Sequence, residues 1–333
     1  MRTFPVGLLC QPPKGKCPEN GHEIGFETDI RKVRMSVINA LASAWVLAVA
    51  GDIQQPGDHP RTTKVNGTDR SYIVHIPTSY LRGSPTPLVL CLHGAGTTGK
   101  MMQNLTGLSK KADEANFIVV FPSGTGFGQL LTWNAGGFQK GVGSKADDVA
   151  FMRQIMDELS KELWIDQARI YACGLSNGGM MSYRLASELS DRVAAIAVVA
   201  GSVAVEDCKP KRPVPVLHIH GTADNVVPFQ MTEKNMPPFM KLKTVQESVK
   251  LWVKLDGCAD QPEVEQISKP DDLKVVRKRH NNGKNGSEVV LVEVEEGGHT
   301  WPGMPPPLKV FGKSAKLSAN DLIWDFFQKH PMK

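Results

Sequence analysis

The sequence is short of the features that would send a protein to a membrane, to nucleic acid or to a metal. Beyond residue 50, no apolar run reaches the ~20 residues that a membrane span needs. The 39 Lys and Arg residues face 34 Asp and Glu, and no basic cluster is interleaved with aromatics, so nucleic acid is not an expected partner. HExxH, CxxC and clustered His and Asp spacings are missing, so the reading expects no metal and no other cofactor. Internal repeats and low-complexity tracts are missing too. Cysteine is scarce, with six in 333 residues, which excludes a small disulfide-stapled scaffold. What is present is an ordinary globular balance, 41% hydrophobic and 22% charged, in a chain long enough to bury one large core.

The first 50 residues do not read as part of that core. Arg31, Lys32 and Arg34 precede MSVINALASAWVLAVA, which ends in the small-residue exit Ala48, Val49, Ala50. A basic stretch, a short apolar run and an A-x-A site make up a secretion signal, with cleavage expected after Ala50. Residues 1–34 are polar and aperiodic, an unusually long lead for such a signal, which makes Met35 a candidate start; a disordered tail ahead of a buried helix is the plainer alternative. The expected organisation is therefore a non-domain segment at 1–34, the signal at 35–50 and one catalytic domain at 51–333, exported and free of the membrane after processing. Without residues 1–50 the balance is 33 basic against 30 acidic, a net +3. Of the four cysteines left, Cys91 and Cys173 sit in apolar strand-like runs as small hydrophobes. Cys208 and Cys258 lie in loops and are the candidate disulfide in an oxidising compartment, although spacing alone does not show the bond.

Seven β-branched apolar runs recur: SYIVHIP from Ser71, PLVLCLHG from Pro87, FIVVFPSG from Phe117, RIYACG from Arg169, AAIAVVAG from Ala194, PVLHIHG from Pro215 and EVVLVEVE from Glu288. Segments of helical period lie between them, through Val149 to Leu163, Met180 to Leu189 and Val245 to Leu255. Such alternation predicts an α/β fold, a mostly parallel sheet with helices on both faces. Gly257 is placed to end the third of these helices, and Ser318 with Asp321 to cap a last one through LIWDFF. The stretch 229–243, rich in Met and Pro, reads as a surface connection or the rim of a site.

Within ACGLSNGGM, Ser176 stands between Gly174 and Gly178 at the spacing G-x-S-x-G, after an apolar strand and before a helical pattern. In that context the chain turns so sharply that a serine is presented on a strained backbone with only glycines tolerated beside it. A serine hydroxyl needs a base to take its proton and an acid to orient the base, here in the chain order Ser, Asp, His. Asp224 in GTADNVVPF follows one strand and His299 in EGGHTWPG follows another, at the sheet edge where catalytic groups collect. The other eight histidines fit the base less well; His218 and His220, for example, are too near Asp224 along the chain and read as hydrogen-bonded core residues. His93 opens HGAGTTG directly after LVLCL, where a loop supplies one oxyanion amide. Ala95 is the preferred donor there, Gly96 the next, and Asn177 the second amide, with His93 holding the loop. Asp147 and Asp148 read as a favourable charge at a helix start rather than a metal pair. Trp133 in LTWNAGG and Trp301 lie on loops near the reactive edge, where an indole can form a substrate platform or simply pack.

Together HGAGTTG, FPSGTG with TWNAGG, DDVAFM, GLSNGGMMSYRLA, HIHGTADNVVPF and GGHTWPG resemble the secreted polyhydroxybutyrate depolymerase and feruloyl esterase family of α/β-hydrolases, related to carbohydrate esterase family 1. The likeness covers nearly all of residues 65–330 with block order kept. It implies a single-domain α/β-hydrolase, Ser176 as nucleophile, Asp224 as acid, His299 as base, and Trp133 as a tryptophan lining the substrate crevice. A cysteine often stands in the family where this chain has Ala95, a change without effect on a backbone donor. The TWNAGG region is closer to feruloyl or general esterases than to depolymerases. The expectation is a secreted serine esterase that acts through an acyl-enzyme on small or polymeric esters, feruloyl esters foremost. Polyester depolymerisation, a prolyl-oligopeptidase-like peptidase and an acyltransferase stand as alternatives.

Overall fold

Strand and helix formation follow the burial pattern. The computed structural model describes residues 53–137, 145–230 and 241–333; the proposed leader at 1–50 and most of the Met- and Pro-rich stretch lie outside them. Ten strands make one sheet, ordered β1-β2-β4-β3-β7-β8-β9-β12-β11-β10: β1 Gly57–Val65, β2 Thr68–Ile76, β3 Thr86–Leu92, β4 Ile118–Pro122, β7 Ile165–Leu175, β8 Ala195–Val199, β9 Val216–Gly221, β10 Glu263–Gln266, β11 Val275–His280 and β12 Val289–Val294. The hairpin β5 Thr125–Phe127 and β6 Leu130–Thr132 stands apart from it. The six central strands β4 to β12 pair in parallel, and antiparallel pairs close both edges.

Each central strand is buried on both faces, which is why it reads as an unbroken apolar run. Successive side chains then serve two cores. Leu88, Leu90, Leu92, Ile170 and Ala172 join one with the helices α3 Asp148–Glu162, α4 Asn177–Glu188 and α5 Val245–Asp256. Val89, Cys91, Tyr171 and Cys173 join the other with α1 Gly99–Thr106, α2 Leu108–Ala115 and α6 Ala319–Lys329. The expected caps are present: Ser318 Oγ accepts from Asp321 N at 3.2 Å, and Gly257 takes the left-handed conformation, φ 67°, that ends α5. Among the described residues no helix is long and apolar enough to cross a membrane.

The chain leaves β3 toward β4 on one side and returns to β7 on the other, so strand order reverses between β3 and β7. In an open parallel sheet the C-terminal ends of the strands at such a reversal are the usual place for a ligand.

The cysteines correct one expectation. All four among the described residues are free thiols. Cys258 Sγ is buried 3.8 Å from the Ser287 carbonyl, while Cys208 packs beside Ser187 and Tyr183 of α4, so each sulfur is engaged elsewhere and Cys208 and Cys258 are not joined. Burial pushes both thiols up to about 11, which keeps them unreactive at neutral pH.

Candidate active site

Ser176 occupies the single residue between β7 and α4, with φ 57° and ψ −121°. A side chain rarely adopts this conformation, and the surrounding packing has to hold it. Gly178 shows how tightly: a Cβ there would lie 2.2 Å from the Leu92 carbonyl oxygen and 2.6 Å from that of His93. The turn is tied down by Ser176 N donating to Val199 O at 2.8 Å and Met180 N to Ser176 O at 2.9 Å. The serine thereby stands at the C-terminal end of β7, beside β3 where the strand order reverses, partly exposed at the positive end of α4.

Asp224 follows β9 and His299 follows β12, neighbouring parallel strands in which Gly221 pairs with Val294. The two loops cross where a Cβ on Gly221 would stand 2.2 Å from the Gly297 oxygen, and this close approach brings acid and base together. His299 Nδ1 lies 2.8 Å from Asp224 Oδ2, so the proton sits on Nδ1 and Nε2 is turned away from the carboxylate. Asp224 Oδ1 accepts from Val226 N at 2.8 Å and Val227 N at 2.9 Å. Burial would raise the Asp224 pKa, but the hydrogen bonds from His220 and His299 outweigh it and hold the carboxyl well below its ordinary value. Asp224 and His299 are 5% and 6% exposed, so their bond is shielded from water. The Ser176 hydroxyl has no hydrogen bond among the described residues, whereas Asp224 and His299 hold each other.

Two backbone amides lie near Ser176. Asn177 is the first residue of α4, so its N–H has no partner within the helix. The loop after β3 comes close enough that a Cβ on Gly94 would stand 3.5 Å from Ser176 Cβ. In that loop Gly96 N donates to Leu131 O at 2.8 Å and is occupied, whereas the exposed Ala95 amide has no hydrogen bond among the described residues. His93 is neutral and fixed beneath them: Nε2 accepts from Gly124 N at 2.9 Å, so Nδ1 carries the proton and donates to Gly94 O at 2.8 Å. Burial, with the Arg70 charge added, lowers its pKa to about 4, which suits a structural imidazole.

Both tryptophans are corrected from substrate platforms to packing residues. Trp133 is fully buried, with its indole N–H donating to His93 O at 2.9 Å and its ring 4.7 Å from that of His93. Trp301 is 2% exposed and donates to Asn320 Oδ1 at 2.9 Å. Neither leaves a face open to a ligand. An aromatic face does stand at the site: the half-buried Phe311 ring lies 5.9 Å from His299, with exposed Leu308 and Val310 beside it along the chain.

Three further contributions escape a reading of motifs. The Asn177 side chain accepts from Trp133 N at 2.7 Å and Thr132 Oγ1 at 2.9 Å, so the residue after Ser176 clamps the Trp133 loop. Asp148 is more than a charge at a helix start: it is fully buried, pairs with Arg70 at 2.6 Å and accepts from Asn134 N at 2.7 Å, anchoring the same loop. His220 Nε2 comes within 3.4 Å of Asp224 Oδ2. The adjacent acidic pair DD and the HxH strand are the signals for the last two, but their partners are distant in sequence.

A serine on a strained strand-to-helix turn and a buried His–Asp pair at the same sheet edge, on this fold, define an α/β-hydrolase equipped for ester chemistry. The Phospholipase/Carboxylesterase family profile matches residues 80–254, and the chain belongs to that family. It is 32% identical to the putative esterase NocK of Nocardia uniformis subsp. tsuyamanensis over 80% of this chain and 81% of that protein. It is 30% identical to feruloyl esterase B of Piromyces equi over 69% of this chain; the match spans 42% of that longer protein. In three dimensions it superposes on the acetyl xylan esterase from Aspergillus awamori with a TM-score of 0.57 at 15% identity, covering 82% of this chain and 99% of that one, a likeness of fold. The protein is a carboxylic-ester hydrolase.

Proposed function

We propose that this hydrolase is exported and cleaves small phenolic esters of the feruloyl type through an acyl-enzyme on Ser176. The observation that carries the mechanism is the buried His299–Asp224 bond of 2.8 Å, at the same end of the sheet as the strained Ser176. His299 Nε2 takes the hydroxyl proton as Ser176 attacks the ester carbonyl, and the Ala95 and Asn177 amides receive the oxyanion. His299 then passes the proton to the leaving alcohol oxygen and, in the second half, draws one from water to release the acid. Asp224 stays ionised throughout and fixes the imidazole. Phe311 offers an aromatic face beside the base. The feruloyl reading draws on the relatives named above, and export on the leader sequence ending at Ala50.

A fluorophosphonate probe on the purified protein tests the nucleophile, and the specificity constants for methyl ferulate, p-nitrophenyl acetate, p-nitrophenyl butyrate and a soluble hydroxybutyrate oligomer test the substrate. Labelling of Ser176, a loss of roughly 10⁴-fold or more in Ser176→Ala and highest kcat/KM on methyl ferulate are expected. Unlabelled Ser176 overturns the mechanism, and a preference for the oligomer replaces the substrate with a polyester.

A further inference from the structure

Behind the acid lies a row of buried polar groups that the mechanism above does not use. Tyr183 Oη on α4 is 2.8 Å from His218 Nδ1, His218 Nε2 is 3.0 Å from His220 Nδ1, and His220 Nε2 is 2.8 Å from the Val227 carbonyl. All three side chains are at most 1% exposed. Val227 belongs to the Asp224 turn, since its amide donates to Asp224 Oδ1.

With both imidazoles neutral, the direction of every bond in the row follows. A carbonyl only accepts, so His220 Nε2 carries a proton. Neutral His220 then has a bare Nδ1, which must accept from His218 Nε2–H; His218 Nδ1 is bare in turn and accepts the Tyr183 hydroxyl proton. One phenol thus sets the tautomer of two imidazoles. The surroundings favour neutrality: Trp252 of α5 stacks on Tyr183 at 5.8 Å, Phe229 stands edge-on to His220 at 5.9 Å, and the Cys208 thiol lies by Tyr183. Burial, with His220 beside it, holds His218 well below the usual imidazole range. Among the described residues Asp224 is the one carboxylate in contact, 3.4 Å from His220 Nε2.

We propose that Tyr183, His218 and His220 are positioning residues, a neutral one-way relay that keeps a proton on His220 Nε2 and so pins the Asp224 turn where its carboxylate orients His299. The relay also runs from the helix that follows the nucleophile to the loop that carries the acid, linking two parts of the site that the sheet alone would leave independent. A protonated His220 would pair with Asp224 in competition with His299; the relay prevents this by filling His220 Nδ1 with a donor.

The proposal rests on the catalytic roles given above, and its test separates the two. Tyr183→Phe removes one oxygen atom two imidazoles away from the acid. The expected result is a kcat lower by roughly tenfold, the rate equivalent of one lost hydrogen bond, with KM unchanged and a slower fluorophosphonate labelling rate, at a temperature where the variant is fully folded. Nitrogen NMR of histidine-labelled protein should show His218 and His220 as Nε2–H tautomers in the wild type and a mixture in the variant. His220→Gln, which keeps a donor toward Val227 O, should retain far more kcat than His220→Leu. Tyr171→Phe is the control, because its hydroxyl is buried without a partner on the other face of the sheet; its kcat should be unchanged. A Tyr183→Phe kcat within twofold of wild type, or an Nδ1–H tautomer at His220 in the wild type, overturns the relay. Absence of Ser176 labelling in the wild type overturns the catalytic reading instead.

Discussion

Replacing Asn177 with aspartate separates the two tasks of that residue. Its side chain accepts from Trp133 N at 2.7 Å and Thr132 Oγ1 at 2.9 Å, and a carboxylate keeps both bonds. It gives up only the weaker donation to Trp133 O at 3.3 Å. A negative charge in the first turn of α4 also favours the helix, by about 0.3–1 kcal/mol. Stability should nonetheless fall, because Asn177 is buried and the second carboxylate oxygen would meet the Trp133 carbonyl without a donor. Catalysis should fall as well: for a charge at a separation of about 6 Å from the oxyanion and an effective dielectric of about 20, the repulsion is roughly 3 kcal/mol, a loss of about 100-fold. The neutral ester in the ground state feels almost none of this, so the loss falls on kcat and not on KM. Asn177→Ala is the complementary variant. It strands the buried Trp133 N–H, at a cost of about 1–3 kcal/mol in stability, but adds no charge and should keep more kcat than the aspartate. Hydrolysis of p-nitrophenyl acetate and urea denaturation of both variants separate the loss of kcat from the loss of stability. If Asn177→Asp keeps kcat within fivefold of wild type, the Asn177 amide is not an oxyanion donor.

Gly178→Ala should lose at least about 3 kcal/mol, beyond the ordinary cost of overpacking, since its Cβ would lie 2.2 Å from a carbonyl oxygen that the neighbouring strand holds fixed; a denaturation midpoint near wild type would contradict this. Trp133→Phe and Trp301→Phe should lower the melting temperature and leave KM for methyl ferulate unchanged, whereas a platform role requires KM to rise. Asp256 tests the pH dependence of stability. Burial, only partly offset by bonds from Ser287 and Val214, raises its pKa from 3.8 to about 6. Between those values the folded state holds more protons than the unfolded one, so stability falls as pH rises, by roughly 3 kcal/mol in all. Asp256→Asn should remove that slope: its stability relative to wild type should climb from pH 4 to pH 7, and a constant difference across the range would refute the assignment.

The parts of this architecture legible in the sequence are those written locally. Central strands buried on both faces appear as apolar runs, and Ser176 is announced by glycines two residues to either side. Asp224 and His299 follow from chain order and strand ends. The edge strands are harder to see: β10 is EVEQ, exposed at every position, and forms because β11 offers it an open edge. Trp133 and Trp301 show the limit for side chains. Their place near the reactive edge is readable, but the directions of their indoles are set by His93 and by Asn320, 40 and 19 residues away in sequence. The choice of Ala95 over Gly96 depends on Leu131, which reaches the oxyanion loop through the β5–β6 hairpin.

The conformation of Ser176 has a consequence for selection. A left-handed φ of 57° at a residue with a side chain costs of the order of 1–3 kcal/mol, and glycine would adopt it freely. Ser176→Gly should therefore melt above the wild type, and if Ser176 is the nucleophile the same change removes the activity. Stability and turnover are thus opposed at this one position, so a screen that selects only for a higher melting temperature would discard the serine.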